Sequence, residues 1–210
     1  VIHMVFRITE NFNFNSYFLP KTKIATILAP FLYRPESNSD ILKELFITYY
    51  VLGHEMYHSL FHLGSPYLTM YGHRAECVMD HYQKTCGQFA MGACKSGEFT
   101  FTEDAPDIES LRLLYALLRE NYSPEQLAKP IHGLATKLEQ AFFIYTASDM
   151  CVKDKERTIE QAKDEHSAFN IRVNAALSLM PEFSRAFKCK EGDLMYIEEK
   201  DSCYFLGPNS

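Results

Sequence analysis

The 210-residue sequence lacks the features that mark several specialised classes of protein. It has no excess of positive charge, because 27 Asp and Glu residues outnumber 21 Lys and Arg residues and leave a net charge of −6. Proteins that bind nucleic acid need a basic surface, so we expect no nucleic-acid partner. The longest nearly apolar stretch, Ile24 to Tyr33, is about half as long as a membrane-spanning helix. We therefore expect no membrane span in this chain.

The six cysteines include no Cys-x-x-Cys pair. This disfavours a zinc knuckle and a thioredoxin-type redox motif. Buried thiols and disulfides formed in an oxidising compartment both remain open, since spacing alone does not choose a pairing. The sequence begins with Val1 rather than Met, and its first residues do not have the pattern of a secretory signal. We expect the chain to correspond to part of a longer protein.

No internal repeat, low-complexity tract or block of like charge divides the chain, so we interpret residues 1–210 as one domain. Sixteen Phe and 13 Tyr residues supply an aromatic core without any Trp. Residues 1–35 are rich in β-formers and predict two short strands, Phe12 to Phe18 and Ile24 to Leu28, joined by a turn at Pro20 and Lys21.

Residues 36–210 have helical periodicity. A first helix is predicted to begin after Ser39 or Asp40 and to end near Gly64 and Pro66. Thr100 and Glu103 have capping-box spacing, and Ser123 is a second candidate N-cap. The later helices are predicted at 70–92, 103–121, 124–130, 136–151 and 167–187, the last one broken. The fold class is therefore mainly α, of the α+β type, with a small N-terminal sheet followed by a helical bundle.

A His-Glu-x-x-His motif lies within the first predicted helix, at His54, Glu55 and His58. Residues four apart share one face of a helix, so both imidazoles can bind one metal ion. Glu55 is then placed to act as general base on a water molecule without coordinating the ion. Zinc suits two imidazoles and an open coordination position. A chance occurrence of the motif is the alternative interpretation.

A catalytic site of this type needs a third protein ligand, and Glu103 is the candidate. Asp107, four residues later, could accept a hydrogen bond from a ligating histidine and fix its ring. The alternative is that both acids simply favour the helix dipole in a first helical turn.

Three further residues are candidates for handling a substrate. His166 could donate to the oxyanion of a tetrahedral intermediate, and Arg172 could bind a carbonyl or carboxylate group. Asn15 could hold a peptide backbone through its amide. Each has an ordinary alternative, which is a surface position for His166 and Arg172 and a β-turn for Asn15.

Six motifs occur in a fixed order along the chain: Asn15-Ser16-Tyr17-Phe18, Gly53 to His58, Glu103 to Asp107, Phe142-Phe143 to Cys151, His166-Ser167-Ala168 to Arg172-Val173-Asn174, and Glu182-Phe183 to Ala186-Phe187-Lys188-Cys189. Together they resemble the catalytic C-terminal part of the neprilysin family of zinc metallopeptidases. The resemblance runs from about residue 10 to Cys203. It implies a zincin-like catalytic lobe, without the family's N-terminal lobe and membrane anchor, and an extracellular or cell-surface location.

The resemblance implies a catalytic or binding role for each candidate residue. It implies one zinc ion held by His54, His58 and Glu103. Glu55 resembles the general base, Asp107 the carboxylate behind a ligand, and His166 the transition-state donor. The residues that bind the substrate backbone are Asn15, Ser16 and Arg172. The pocket for the residue after the cut bond would be lined by Tyr50, Val51 and Met150.

The resemblance also predicts a disulfide between Cys77 and Cys203. By the same resemblance, Cys151 and Cys189 would bond to cysteines in the family's N-terminal part; in this chain the alternatives are that they are free, paired with each other, or paired with the extra Cys86 and Cys94. The sequence departs from the family at several places: Ser16 replaces Ala, Pro106 replaces an aliphatic residue, Ser59-Leu60-Phe61 follows the zinc helix, Ala168 replaces Pro, and the family's Trp pair is missing. A proline is tolerated in a first helical turn but disturbs a later one.

We therefore expect a zinc-dependent endopeptidase that cleaves short extracellular peptides. The departures around the motifs leave a second hypothesis open, a catalytically inactive binding domain on the same scaffold. Peptides are the expected partners in both cases.

Overall fold

The computed structural model describes residues 5–9, 16–28, 49–89, 94–131, 135–150 and 164–205. Three short strands form one sheet in the order β1-β3-β2. Their bounds are Val5–Thr9 for β1, Ser16–Leu19 for β2 and Ile24–Leu28 for β3.

The β2–β3 hairpin confirms the predicted pair of strands and their turn. Ser16 pairs with Ile27 in antiparallel register, and the Lys23 N–H donates to the Leu19 carbonyl at 2.8 Å. The predicted first strand is described only from Ser16 onward. β1, which was not predicted as a separate strand, pairs with β3 in parallel. This arrangement leaves β2 at one edge of the sheet.

Seven α-helices and one 3₁₀ turn follow in the described part of the chain. They are α1 (Val51–Phe61), α2 (Pro66–Phe89), α3 (Gly97–Asn121), α4 (Pro124–Leu127), α5 (Leu138–Asp149), α6 (Phe169–Ser178), α7 (Pro181–Phe187) and the 3₁₀ turn Glu199–Asp201. The mainly α prediction with a small sheet is confirmed. The predicted start of the first helix, at 39–40, lies outside the described residues.

The observed helix ends can be compared with the capping signals found in the sequence. Ser123 is the predicted N-cap and also forms a capping box with Gln126, and the predicted break in the last helix falls between Ser178 and Pro181, where α7 begins. The capping box at Thr100 is wrong, because α3 already begins at Gly97 and the Thr100 hydroxyl donates to the Ser96 carbonyl at 3.4 Å. Pro106 consequently lies in the interior of α3 rather than in its first turn.

The core is built around α3, which packs against α1, α2 and α6. Four fully buried aromatic rings from three parts of the chain fill it: Phe61, Phe142, Phe143 and Phe205. α1 and α3 approach closely at Gly53, where an added Cβ would lie 3.2 Å from the Ser110 hydroxyl oxygen. This close approach brings the His-Glu-x-x-His segment against α3.

Two disulfides occur among the described residues. The Cys77–Cys203 bridge confirms the predicted pairing and joins α2 to the C-terminal segment. The second bridge, Cys86–Cys94, was not among the predicted pairings, and it excludes the alternative in which these two cysteines pair with Cys151 and Cys189. Cys189 is free, whereas Cys151 lies outside the described residues. Within those residues no helix is both long enough and apolar enough to cross a membrane.

Candidate active site

The two histidines of α1 point in one direction. His54 is buried, and its Nε2 atom lies 3.0 Å from Nε2 of His58 one helical turn later. Glu103 of α3 faces both of them, with Oε2 at 3.1 Å from His54 Nε2 and 3.4 Å from His58 Nε2. Three donor atoms from two helices therefore converge on one point.

A buried network lies behind His54. The His54 Nδ1 atom is 2.8 Å from Oδ1 of Asp107, one turn after Glu103 on α3. The Arg172 guanidinium donates to both Asp107 oxygens, through Nε at 2.6 Å and a terminal nitrogen at 2.7 Å. The Tyr50 hydroxyl donates to Oδ1 at 2.5 Å. Asp107 is thus held by three neighbours and fixes the orientation of the His54 ring.

The charges of this network shift several pKa values. Burial opposes ionisation of Asp107, yet the adjacent Arg172 guanidinium and His54 hold its pKa far below the ordinary range. Burial likewise opposes a charged His54, but Asp107 and Glu103 raise its pKa to about 9. Despite its own burial, Glu103 has a strongly lowered pKa because His166, His54 and His58 surround it. Negative charge is therefore concentrated where a cation would bind.

Glu55 differs from the other acids of the cleft. Its side chain is buried, and burial raises its pKa above the ordinary value. Among the described residues its Oε2 atom has no hydrogen-bond partner. A buried carboxylate without a donor is costly unless it serves another group, and this one lines the same cleft as His54 and His58.

His166 places a third imidazole beside Glu103. Its Nε2 atom lies 3.0 Å from Glu103 Oε2, and its Nδ1 atom lies 2.6 Å from Oδ1 of Asp164. Although burial opposes protonation, the Glu103 and Asp164 carboxylates raise the pKa of His166. Its side chain is 37% exposed, so the ring lies between the candidate metal ligands and the open cleft.

The residues present fit a metal ion. Ligand atoms bound to one tetrahedral zinc ion at about 2.0–2.2 Å lie roughly 3.3–3.6 Å apart. The separations among His54, His58 and Glu103 are 3.0, 3.1 and 3.4 Å, so these donors could close around one ion with little movement. The sets His54–Glu103–His166 and His54–Glu55–His58 also bring three potential ligand atoms together. Imidazole and carboxylate donors are those that zinc prefers in hydrolytic sites.

These groups open onto a cleft of about 800 Å³. Four further residues predicted from the sequence also line it: Ser16, Tyr50, Val51 and Met150. Arg172 lines it too, while its guanidinium is engaged with Asp107. Asn15 lies outside the described residues, so its proposed contact with a substrate stays a prediction.

Several contacts at the site were not predicted from the sequence. The bond from Tyr50 to Asp107 could have been anticipated, because Tyr50 lies four residues before His54 and shares its helical face. The contact of Asp164 with His166 spans only two residues, and its signal is the Asp-x-His spacing itself. By contrast, the Lys95 ammonium donates to the carbonyls of Asp164 and His166 at 2.6 and 2.7 Å, across about seventy residues, without a local signal.

A His-Glu-x-x-His helix that faces a carboxylate on a second helix, beside an open cleft, defines a site of the metallopeptidase class. The sequence model of Peptidase family M13 matches residues 15–203. The chain belongs to this family, in agreement with the resemblance to neprilysins.

Individual relatives are distant. Endothelin-converting enzyme-like 1 of Rattus norvegicus is 28% identical over 213 residues, which cover 90% of this chain and 26% of that protein. Neprilysin-3 of Drosophila melanogaster is 27% identical over 167 residues, which cover 71% of this chain and 21% of that protein. The chain thus spans about a quarter of the length of these relatives.

Solved structures share the fold. The Haemonchus galactose containing glycoprotein complex superposes with a TM-score of 0.69 at 22% identity, covering 91% of this chain and 35% of that one. The zinc metalloprotease Zmp1 of Mycobacterium tuberculosis in its open state gives a TM-score of 0.65 at 21% identity, covering 89% of this chain and 32% of that one.

Proposed function

We propose that this chain is the catalytic domain of a zinc-dependent endopeptidase that hydrolyses short extracellular peptides. The observation that carries the proposal is the convergence of His54, His58 and Glu103 beside the buried Glu55, whose Oε2 atom has no hydrogen-bond partner among the described residues. The two disulfides support an oxidising, extracellular location.

His54, His58 and Glu103 would hold the zinc ion. Bound zinc supplies Lewis acidity, which polarises a carbonyl group and makes water a better nucleophile near neutral pH. Asp107 keeps the His54 ring in place through Nδ1, and Arg172 and Tyr50 keep Asp107 in place. The buried network therefore sets the direction of a ligand before any substrate arrives.

Glu55 is proposed as the general base. It lies one residue after His54 on the cleft, and its raised pKa brings the carboxylate closer to the pKa that a proton acceptor needs near neutral pH. Glu55 accepts a proton from the attacking water and then transfers it to the nitrogen of the leaving amine. The scissile C–N bond breaks in that second step, and the new carboxylate and amine are the products.

His166 is proposed as the donor to the negative oxygen that develops on the scissile carbonyl. Its Nε2 atom borders the donor group, while Asp164 holds Nδ1 and thereby fixes the ring. A donor placed in advance at such a position typically contributes 10²–10³-fold to the rate.

The edge strand β2 offers a place for the peptide backbone. β2 pairs only with β3 in the described sheet, so its other edge has no partner strand among the described residues, and Ser16, Tyr17 and Phe18 line the cleft. An extended peptide can add to such an edge through main-chain hydrogen bonds. Asn15, Ser16 and Arg172 are proposed to hold this backbone, with Tyr50, Val51 and Met150 around the side chain that follows the cut bond.

The decisive experiment combines zinc analysis with peptide cleavage. We expect about one zinc ion per wild-type chain and a clear loss in Glu103→Gln, because a neutral amide is a poor replacement for the third ligand. Glu98→Gln, an exposed position on the same helix, is the matched control and should keep its zinc.

Glu55→Gln separates metal binding from chemistry. We expect this variant to keep its zinc and to lose catalysis by about 10²–10⁴-fold, as expected for a missing general base. A folded wild-type chain that takes up no offered zinc would contradict the proposal. Zinc uptake without cleavage of any peptide in a broad fluorogenic panel would instead favour an inactive binding domain.

A further inference from the structure

Lys95 lies in a short segment between α2 and α3, and its ammonium contacts the loop that carries His166. Two carbonyl oxygens, of Asp164 and His166, accept hydrogen bonds from Nζ at 2.6 and 2.7 Å. Hydrogen bonds from an ammonium are stronger than those from neutral donors. One charged side chain thus holds two carbonyls of a loop that has no regular secondary structure.

The backbone of Lys95 is itself braced on both sides. Cys94, the residue before it, forms the disulfide with Cys86 near the end of α2. Gly97, two residues after it, lies so close to α2 that an added Cβ would be 2.8 Å from the Met79 carbonyl oxygen. Met79 and Cys86 are seven residues apart and share one face of α2, so the segment is fixed along that face.

The loop on the other side of the contact is organised around His166. The His166 N–H donates to Oδ1 of Asp164 at 3.1 Å, the same oxygen that lies 2.6 Å from Nδ1 of the ring. The next residue, Ser167, donates through its hydroxyl to Oδ2 of Asp104 on α3 at 3.1 Å. Lys95 and Asp104 therefore hold the loop from two directions, and the ring of His166 lies between these attachments.

We propose that Lys95, braced by the Cys86–Cys94 bridge and by the close contact of Gly97 with α2, is a positioning residue that holds His166 at the candidate active site. The inference rests on the proposed function only for its catalytic consequence. The structural part is that α2 determines, through this segment, where the His166 loop lies. Lys95 would act on the proposed reaction only through this loop.

Hydrogen–deuterium exchange tests the structural part without any need for activity. In Lys95→Met, we expect amides of residues 164–168 to exchange roughly tenfold faster, since two charge-assisted hydrogen bonds are lost. Lys95→Arg, which keeps donors on a long side chain, should restore at least part of the protection. Lys84→Met, an exposed lysine on α2, is the matched control and should leave the loop unchanged.

The contribution of the Cys86–Cys94 disulfide to holding the Lys95 segment is tested separately by replacing both cysteines with Ala. This variant should loosen residues 164–168 in the same way while leaving exchange in the centre of α3 unchanged. Unaltered exchange of the loop in both Lys95→Met and the double Ala variant would overturn the inference. Loosening of the whole chain in Lys95→Met would overturn it as well, because Lys95 would then have a general structural role.

A double-mutant cycle tests the catalytic consequence. Lys95→Met should lower kcat/KM about tenfold through kcat, with KM changed by less than about twofold, because a transition-state donor is displaced. In a His166→Gln background the same change should have less than about a twofold effect. An equally large effect in that background would overturn the link to His166. A wild-type chain that cleaves no peptide would contradict the proposed function, whereas the exchange data would still decide the positioning role.

Discussion

Two largely buried histidines on neighbouring helices have opposite electrostatic properties. His54 on α1 is surrounded by the carboxylates of Asp107 and Glu103, which raise its pKa to about 9 against the effect of burial. Among the described residues, His81 on α2 contacts the Ala175 carbonyl and neutral hydroxyls and has no carboxylate partner, so burial, with the nearby Lys84 ammonium, lowers its pKa to about 4. Burial alone therefore does not distinguish a candidate ligand from a structural histidine, but the charge of its partners does.

The same contrast holds for the regions around these residues. The cleft side, formed by α1, α3 and α6, concentrates carboxylates, imidazoles and the guanidinium of Arg172. The rear side, where α2 meets α6, is joined by neutral hydrogen bonds such as that of His81 with the Ser178 hydroxyl at 2.8 Å. The cleft side can thus bind a cation, and the rear side supports it.

The largest expected effect distinguishes the two histidines directly. If His54 is a zinc ligand as proposed, His54→Gln should weaken zinc binding by more than about 100-fold and abolish peptide cleavage, because losing a ligand costs more than losing a residue that supports one. His81→Gln is the matched control and should keep one zinc ion per chain. Elemental analysis after dialysis measures the zinc content of both variants, and equal contents would contradict the distinction between the cleft side and the rear side.

Arg172→Met tests the buried ion pair of the cleft side. The change leaves Asp107 as a buried charge without its main cationic partner, so the free energy of unfolding should fall by about 3–5 kcal/mol. Arg185→Met is the control, because that side chain is 57% exposed and pairs with Glu182 on the surface; it should change stability by less than about 1 kcal/mol. Urea unfolding compares the two, and similar losses would show that burial does not matter here.

The pH dependence of stability tests whether His81, on the rear side, is buried in its neutral form. Because the pKa of His81 falls from 6.5 to about 4 on folding, the unfolded chain binds this proton first as the pH decreases. The free energy of unfolding should therefore decrease as the pH falls from about 6.5 to about 4, by up to about 3 kcal/mol from this group. His81→Gln should remove that part of the decrease, whereas His73→Gln, an exposed histidine on the same helix, should retain it.

The smallest effect is expected at the open edge of the cleft. Ser16→Ala should change kcat/KM by less than about twofold, since the proposed contact of this strand with a peptide uses main-chain groups. Its stability should stay within about 0.5 kcal/mol of the wild type. A loss above tenfold would show that the Ser16 hydroxyl itself contacts the substrate.

Local patterns were sufficient to predict much of the fold. Helical periodicity and turn residues predicted the β2–β3 hairpin, the Ser123 cap and a break within 167–187, which the structure places before Pro181, because each depends on neighbours in sequence. The start of α3 could not be predicted in this way. Gly97 tolerates the close approach to Met79, and this tertiary contact lets the helix begin before the capping signal at Thr100.

The candidate site likewise combines features that local patterns predict with features that depend on tertiary contacts. The spacing of His54 and His58 predicts a shared face, but the sequence alone does not show that Glu103 lies 3.1 Å from one and 3.4 Å from the other. The ion pair between Asp107 and Arg172 joins residues 65 apart in the sequence, and no local pattern reports such a contact. The order of motifs in a known family supplied these residues as candidates, and the packing of α1 and α6 on α3 brings them together.

The Cys77–Cys203 bridge has a consequence for how the chain would respond to a protease. An exposed turn at residues 190–193, with Gly192 at a φ of 95°, is the natural place for a single cut. The segment beyond it is bonded to α2 through Cys203, and the ring of Phe205 is completely buried beside Phe61. A nick there would leave two pieces that migrate together on a gel until reductant is added, so apparent intactness under non-reducing conditions is no proof of an uncut chain.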